Sequence, residues 1–273
     1  MYGDGSTLPA DAAMTVKTVT INLDGGAVGS NLYGGIHARA YGNASVEQVN
    51  ISISGGEHDR VYAGGWAEGN AKSTVDNSTI TIDGGKVNFI YGGGANGQGE
   101  TYVGATTITV GANAEVGTIF MSGRYGYSST GDVELNWYGT SDMKRLSGVS
   151  SAGVDNADST TVNLFSNLTA DGIDFVDKFV LSEGVKLNCT GEFLLGNRND
   201  DGTASDATIF DFTTDGLTEA WDAIAGISDF EHALFSVNGG EAVAWGEGNT
   251  LALGSYTLTR TEESKDKYSI SIA

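Results

Sequence analysis

Three tyrosines recur at a fixed interval, Tyr33, Tyr62 and Tyr91, each 29 residues from the next. Aromatic faces stack on sugar rings and on one another. A tyrosine at the same place in three successive structural units therefore makes either a flat external strip that binds a glycan or a stack that only stiffens a wall. Trp66, Tyr102, Tyr125 and Tyr127 lie near this strip in sequence. Tyr33, Tyr62 and Tyr91 are the candidate ligand-binding residues.

One segment has the pattern of a metal site. Asn197, Asn199 and Asp201 alternate as oxygen ligands ahead of Gly202, the arrangement of a calcium loop. Thr208 stands where an EF-hand loop has its bidentate glutamate, and no helices are expected to flank it, so an ordinary polar turn is the preferred reading. Calcium is the one cofactor this chain suggests. The other reactive side chains are scattered: His37, His58 and His232 have no ligand spacing, and Cys189 sits in an alternating strand as a small buried residue. Asp24 and Asp83 occupy equivalent turns with Ser54 between them. That places them two units, roughly 10 Å, apart, slightly wide for a pair of glycosidase carboxylates, and turn formation explains them. No catalytic residue is assigned.

The elements that must carry these residues are short strands. Each tyrosine belongs to a repeated phrase, Leu32-Tyr33-Gly34-Gly35, Val61-Tyr62-Ala63-Gly64 and Ile90-Tyr91-Gly92-Gly93, with a looser copy at Phe120-Met121-Ser122-Gly123. Ahead of each phrase apolar residues alternate: Val19, Ile21 and Leu23; Val49, Ile51 and Ile53; Ile80 and Ile82; Ile108 and Val110. Period two means half-buried strand. Leu32, Val61, Ile90 and Phe120 are expected to face inward and the tyrosines outward. Val46, Val75 and Val103 mark a third apolar position. A fixed period in this range signals stacked units, and the prediction is an all-β, right-handed parallel β-helix of about 29 residues per coil.

Residues 1–17 are read as an N-terminal lead or cap, 18–165 as regular coils, and 166–273 as a less regular continuation ending in a β-rich cap. Within that cap the apolar spacing of Ala220, Trp221, Ile224 and Ala225 predicts a short helix over Leu217 to Ile227, and Ser255–Thr259 with Tyr268–Ile272 predicts an antiparallel hairpin.

Composition narrows the partners. A formal charge of −21 repels nucleic-acid phosphates and anionic membranes. No apolar run approaches the roughly 20 residues of a membrane span, so neither nucleic-acid binding nor direct membrane insertion is expected. A lone cysteine excludes an internal disulfide.

The glycine-rich coils with alternating Thr, Val, Ile and Asn, over roughly Thr18 to Leu164, resemble the β-helical passenger and stalk regions of bacterial surface adhesins, including autotransporter-like proteins. The resemblance implies a non-enzymatic, extracellular or cell-surface segment of a larger exported protein, presenting a wall or loops to a glycan or a host or cell-surface protein, with self-association also open. The alternatives are a carbohydrate-active β-helix (a polysaccharide lyase, a hydrolase or a tailspike-like fibre) and a structural spacer.

Overall fold

The alternating segments form strands, and the strands stack as coils. The computed structural model describes residues 13–39, 42–196 and 206–273, and every regular element among them is β-strand. The chain is a β-solenoid of about eight turns, each of about 28 residues.

Two walls make up the body. The first wall is built from Ala13–Leu23, Asn43–Ile53, the first arms of Lys72–Tyr91 and Glu100–Phe120, then Ser128–Trp137, Ala157–Leu164, Lys178–Ser182, Thr208–Thr213 and Ala233–Val237. The second wall follows in each coil: Ala27–Tyr33, Glu57–Tyr62, the second arms of the two long strands, Met143–Ser147, Leu168–Asp174, Leu187–Leu194 and Trp221–Ile227. Within each wall successive coils pair in parallel. On the third side the ladder is a narrow parallel one of His37–Ala38, Trp66–Ala67 and Ala95–Asn96.

The parallel register puts like residues above one another. One column of the first wall runs Ile21, Ile51, Ile80, Ile108, Leu135, Val162, Phe179, Phe210, Phe235. The facing column of the second wall runs Leu32, Val61, Ile90, Ile119, Leu146, Ile173, Phe193. From the second coil onward these side chains are buried, and each contributes about 1.5–3 kcal/mol by leaving water. In the later coils aromatic rings take over the core, with Phe179 and Phe210 stacked at 5.5 Å and Phe210 and Phe235 at 5.6 Å.

Two glycine positions show why the repeats carry glycine. Gly26, Gly56 and Gly85 turn the chain between the walls with φ of 77°, 89° and 81°, a region where a side chain is strained. Gly92, just past the strand end at Tyr91, is closely overlaid: a Cβ there would strike the carbonyl oxygen of Met121 in the next coil.

Two expectations are corrected. The fourth phrase is displaced by one residue, so Ile119 pairs with Ile90 and faces the core, whereas Phe120 pairs with Tyr91 and joins the tyrosine column. The helix over Leu217 to Ile227 does not form. Trp221–Ile227 is a strand paired antiparallel with Lys267–Ile272, and two register shifts, at Asp222/Ile224 and Ala225/Ile227, break its alternation. Those bulges bury neighbouring residues and imitate a helical spacing.

The predicted hairpin forms, as Tyr256–Ser264 and Lys267–Ile272. With Thr250–Leu253 it makes an antiparallel ribbon along the edge of Trp221–Ile227, and Val243–Ala244 pairs with Ala233–Val237. Arg260 pins the ribbon from above, its guanidinium 5.0 Å from the Phe230 ring and 5.6 Å from those of Trp245 and Tyr268. Covering the last parallel edge in this way removes a template for aggregation.

Close approach predicts a contrast between two glycines of the second wall. Gly92→Ala should destabilise the protein by roughly 1–3 kcal/mol through overpacking. Gly29→Ala, which meets nothing within 4 Å, should shift stability by less than about 0.5 kcal/mol. Urea-unfolding midpoints compare them, and equal midpoints would show that coil contact does not dictate the glycine at position 92.

Candidate binding surface

The tyrosines stack as their spacing demands. Tyr33 pairs with Tyr62, Tyr62 with Tyr91 and Tyr91 with Phe120, and the ring centroids are 4.7, 4.5 and 5.3 Å apart at interplanar angles of 22°, 7° and 15°. Each such pair is worth about 0.5–1.5 kcal/mol beyond the area it buries.

The expectation that Tyr33, Tyr62 and Tyr91 form an exposed strip is corrected. They point away from the coil interior, but Tyr62 is 0% and Tyr91 3% exposed, and Tyr33 is half-buried. After each Gly-Gly the chain turns back across the rings. Trp66 meets Tyr33 edge-on at 5.9 Å, Ala95 packs into the same cluster, and Arg124 Nη1 donates a 3.3 Å hydrogen bond to Tyr62 Oη. Burial disfavours the phenolates: it raises the Tyr33 pKa to about 12 and shifts those of Tyr62 and Tyr91 upward, with the Arg124 charge opposing in each case. The column is a second, outer core.

The remaining candidates separate in space. Asn197, Asn199 and Asp201 lie outside the described residues, and among the described residues no cluster of three His, Cys, Asp or Glu side chains is placed to hold a metal ion. Cys189 is buried, its thiol pKa pushed up chiefly by that burial, and its Sγ donates to the Glu192 carbonyl at 3.2 Å. His37 contacts Glu68, His58 is buried with Nε2 3.0 Å from the Gly55 carbonyl oxygen, and His232 Nδ1 is 2.7 Å from Asp229 Oδ2. Asp24 and Asp83 stand two coils apart, and Ser54 between them donates to Asp24 Oδ1 at 2.9 Å.

The open surface lies beside the tyrosine column, on the outside of the second wall. Its central depression, of about 700 Å³, is lined by Lys86, Asn88, Phe89, Glu115, Thr118, Asp142, Lys144 and Asp171 among others. A depression of about 380 Å³ shares Lys86 and Asn88 with it and continues to Val28, Glu57, His58 and Asp59. Another, of about 270 Å³, shares Lys144 and Asp171 and continues to Arg145, Gly172, Asp174 and Glu192. Together they form one groove along the solenoid axis from the first coil to the seventh. Six coil spacings of about 4.8 Å make it about 29 Å long.

A repeated irregularity runs along this groove. From the second coil to the sixth the ladder skips one residue at the same place: Asp59, Asn88, Gly117, Lys144 and Asp171. Its charges alternate down the columns, Glu57 pairing with Lys86 and Lys86 with Glu115. Arg145 Nε donates to the buried Asp174 Oδ1 at 2.7 Å, and the Ser147 hydroxyl donates to Asp174 Oδ2 at 2.6 Å. Arg60 pairs with Asp59 at 2.6 Å and lies 5.5 Å from the Phe89 ring. The Arg145–Asp174 pair is anchored by the buried carboxylate and is costly to break, whereas the exposed Lys86 and Lys144 are the side chains free to bond a ligand. The groove presents donors and acceptors in turn and no single sign of charge.

Sequence reasoning missed these residues, although a signal existed. Glu57 and Lys86 each follow a Gly-Gly pair at the 29-residue period, which marks them as neighbours in one outward column.

Burial of the phenols makes stability sensitive to alkali. The unfolded chain ionises its tyrosines near pH 10, whereas Tyr33, Tyr62 and Tyr91 stay neutral higher, so their contribution is intact below pH 10 and falls as pH rises toward about 12. The urea midpoint should drop between pH 10 and pH 12, with the phenolate absorbance of these rings appearing only on unfolding; a wild-type midpoint that falls no faster than that of Tyr62→Phe would contradict this. Tyr62→Ala should cost about 3–5 kcal/mol. Comparisons with known proteins find no matching family model and no curated protein or solved structure of significant similarity.

Proposed function

We propose that this β-solenoid is a non-enzymatic attachment segment of an exported surface protein, and that the groove of its second wall holds an extended glycan chain. The groove carries the reading: its three depressions share lining residues from the first coil to the seventh, and from the second coil onward they offer polar side chains, with cations at Lys86, Lys144 and Arg145 set among carboxylates. A polymer of hydroxylated rings matches such a surface, because successive sugars meet similar groups at regular intervals. The overall charge of −21 disfavours polyanions, so the ligand is an uncharged or weakly charged glycan. The extracellular setting rests on the resemblance of the coils to adhesin passengers.

The test is an array of immobilised neutral oligosaccharides, followed by titration of the hits. Lys86→Glu and Lys144→Glu, both exposed, should each weaken binding about tenfold while leaving the circular dichroism spectrum unchanged. Thr79→Ala and Thr107→Ala on the outer face of the first wall should bind as wild type. Equal binding by all four variants removes the groove from the reading, and release of new reducing ends or unsaturated products from a bound polysaccharide replaces attachment by catalysis.

A further inference from the structure

The corner where the first wall turns into the second carries a column that changes character halfway. Asp24, Ser54, Asp83, Gly111, Tyr138 and Phe165 each follow a residue of one continuous core register, Leu23, Ile53, Ile82, Val110, Trp137 and Leu164. Backbone hydrogen bonds extend the ladder into the corner: Tyr138 N to the Val110 carbonyl at 2.8 Å and Phe165 N to that of Trp137 at 3.0 Å. The lower half of the column holds two carboxylates separated by Ser54, the upper half is aromatic, and Gly111 lies between them.

Tyr138 and Phe165 stack at 4.6 Å and 8°, yet they are 44% and 46% exposed. Unlike the buried tyrosine column, this pair is open to solvent. Phe165 covers one face of the Tyr138 ring. The other face looks along the axis toward the coil of Gly111, which has no side chain; the ladder bulges there, so that Gly111 and the small, exposed Ala112 together lie opposite Asp83. A Cβ on Gly111 would lie 3.2 Å from both Cα and Oδ1 of Asp83, so the Asp83 carboxylate reaches the opposite side of the same gap.

We infer that this gap is a saccharide subsite: a neutral hexose stacks its apolar face on Tyr138 over Gly111 and donates hydroxyl hydrogens to Asp83. The inference rests on the glycan-attachment reading and gives its groove an end point. Asp83 and Tyr138 are two coils apart, about 10 Å, which leaves room for one pyranose ring. A carboxylate accepts hydrogen bonds from more than one hydroxyl, and the aromatic face supplies the apolar contact. The platform is held in place beforehand, which lowers the ordering cost of binding. Gly139 lies against the Trp137 indole, whose Nε1 donates to the Asn167 carbonyl at 3.1 Å, while the hydroxyls of Thr140 and Ser166 donate to the carbonyls of Ala112 and Gly139 at 3.0 and 2.6 Å. Ser141 and Asp142 line the groove, and four residues of chain span at most about 14 Å, so one glycan can occupy the groove and the corner together.

Neutral hexose and N-acetylhexosamine oligosaccharides on the array serve as probes, with hits titrated against Tyr138→Ala, Tyr138→Phe, Gly111→Leu and Asp83→Asn. Tyr138→Ala and Gly111→Leu should each weaken binding about threefold to tenfold, Asp83→Asn should weaken it less, and Tyr138→Phe should restore wild-type affinity. Thermal unfolding checks that each variant is folded; Tyr138→Ala alters an exposed ring and decides the matter if Gly111→Leu does not fold. Wild-type affinity in Tyr138→Ala, with loss in Lys86→Glu, overturns the subsite and leaves the groove standing. No binding of any probe by the wild type overturns both.

Discussion

Successive coils are locked together by parallel backbone hydrogen bonds at about 4.8 Å, and this spacing governs every side chain on both faces. A residue has an equivalent directly above and below it, so each column must be filled by groups that tolerate that separation. Branched aliphatics do so in the column from Ile21 to Val162, and flat rings do so from Phe179 to Phe235. Tyrosines stack at 4.5–4.7 Å, close to the backbone repeat itself. Charges obey the same rule with the opposite preference: Lys86 separates Glu57 from Glu115, and Ser54 separates Asp24 from Asp83. A column of like charges at this spacing would repel along its whole length.

The rule also explains which parts of the molecule could be read from the chain. Alternation and a period of 29 residues identify strands, coils and the stacking of Tyr33, Tyr62 and Tyr91, because all three follow from local pattern plus repetition. The glycines that close the four phrases align Phe120 with Ile90, whereas apolar packing fixes the register and puts Ile119 above Ile90. Burial of the tyrosines was not legible. It depends on Trp66, Ala95 and Arg124 returning across the rings from the third side, a long-range path that the repeat phrase does not encode. Nor was the strand at Trp221–Ile227, since its two bulges replace alternation by a run of buried residues.

The two ends of the stack differ physically. At the C-terminal end the antiparallel ribbon satisfies the edge of Trp221–Ile227 and brings Leu258, Ile270 and Ile272 into the core. In the first described coil Val19, Ile21, Leu23 and Leu32 are only partly buried, while Val49, Ile51, Ile53 and Val61 directly above them are almost fully so. In a solenoid each coil is stabilised mainly by its neighbours. Burial among the described residues therefore rises from the first described coil to the ribbon-covered end, and the groove, which runs from the first coil to the seventh, spans this gradient.

A periodic wall poses a problem for recognition, because a surface that repeats every coil offers a ligand several equivalent registers. Specificity has to arise where the outward columns depart from the period, since the inward columns cannot change without disturbing packing. The first wall shows how free the outside is: Thr20, Asn50, Thr79, Thr107, Glu134, Thr161 and Lys178 share one column. The corner column makes the sharpest departure, from carboxylate through glycine to stacked rings within four coils. A polymer lying in the groove could slide by one rung with little penalty if only the repeated backbone of the wall held it. An aromatic platform that occurs at one height removes that degeneracy, and the same backbone ladder that makes the wall monotonous holds the platform rigid enough to set the register.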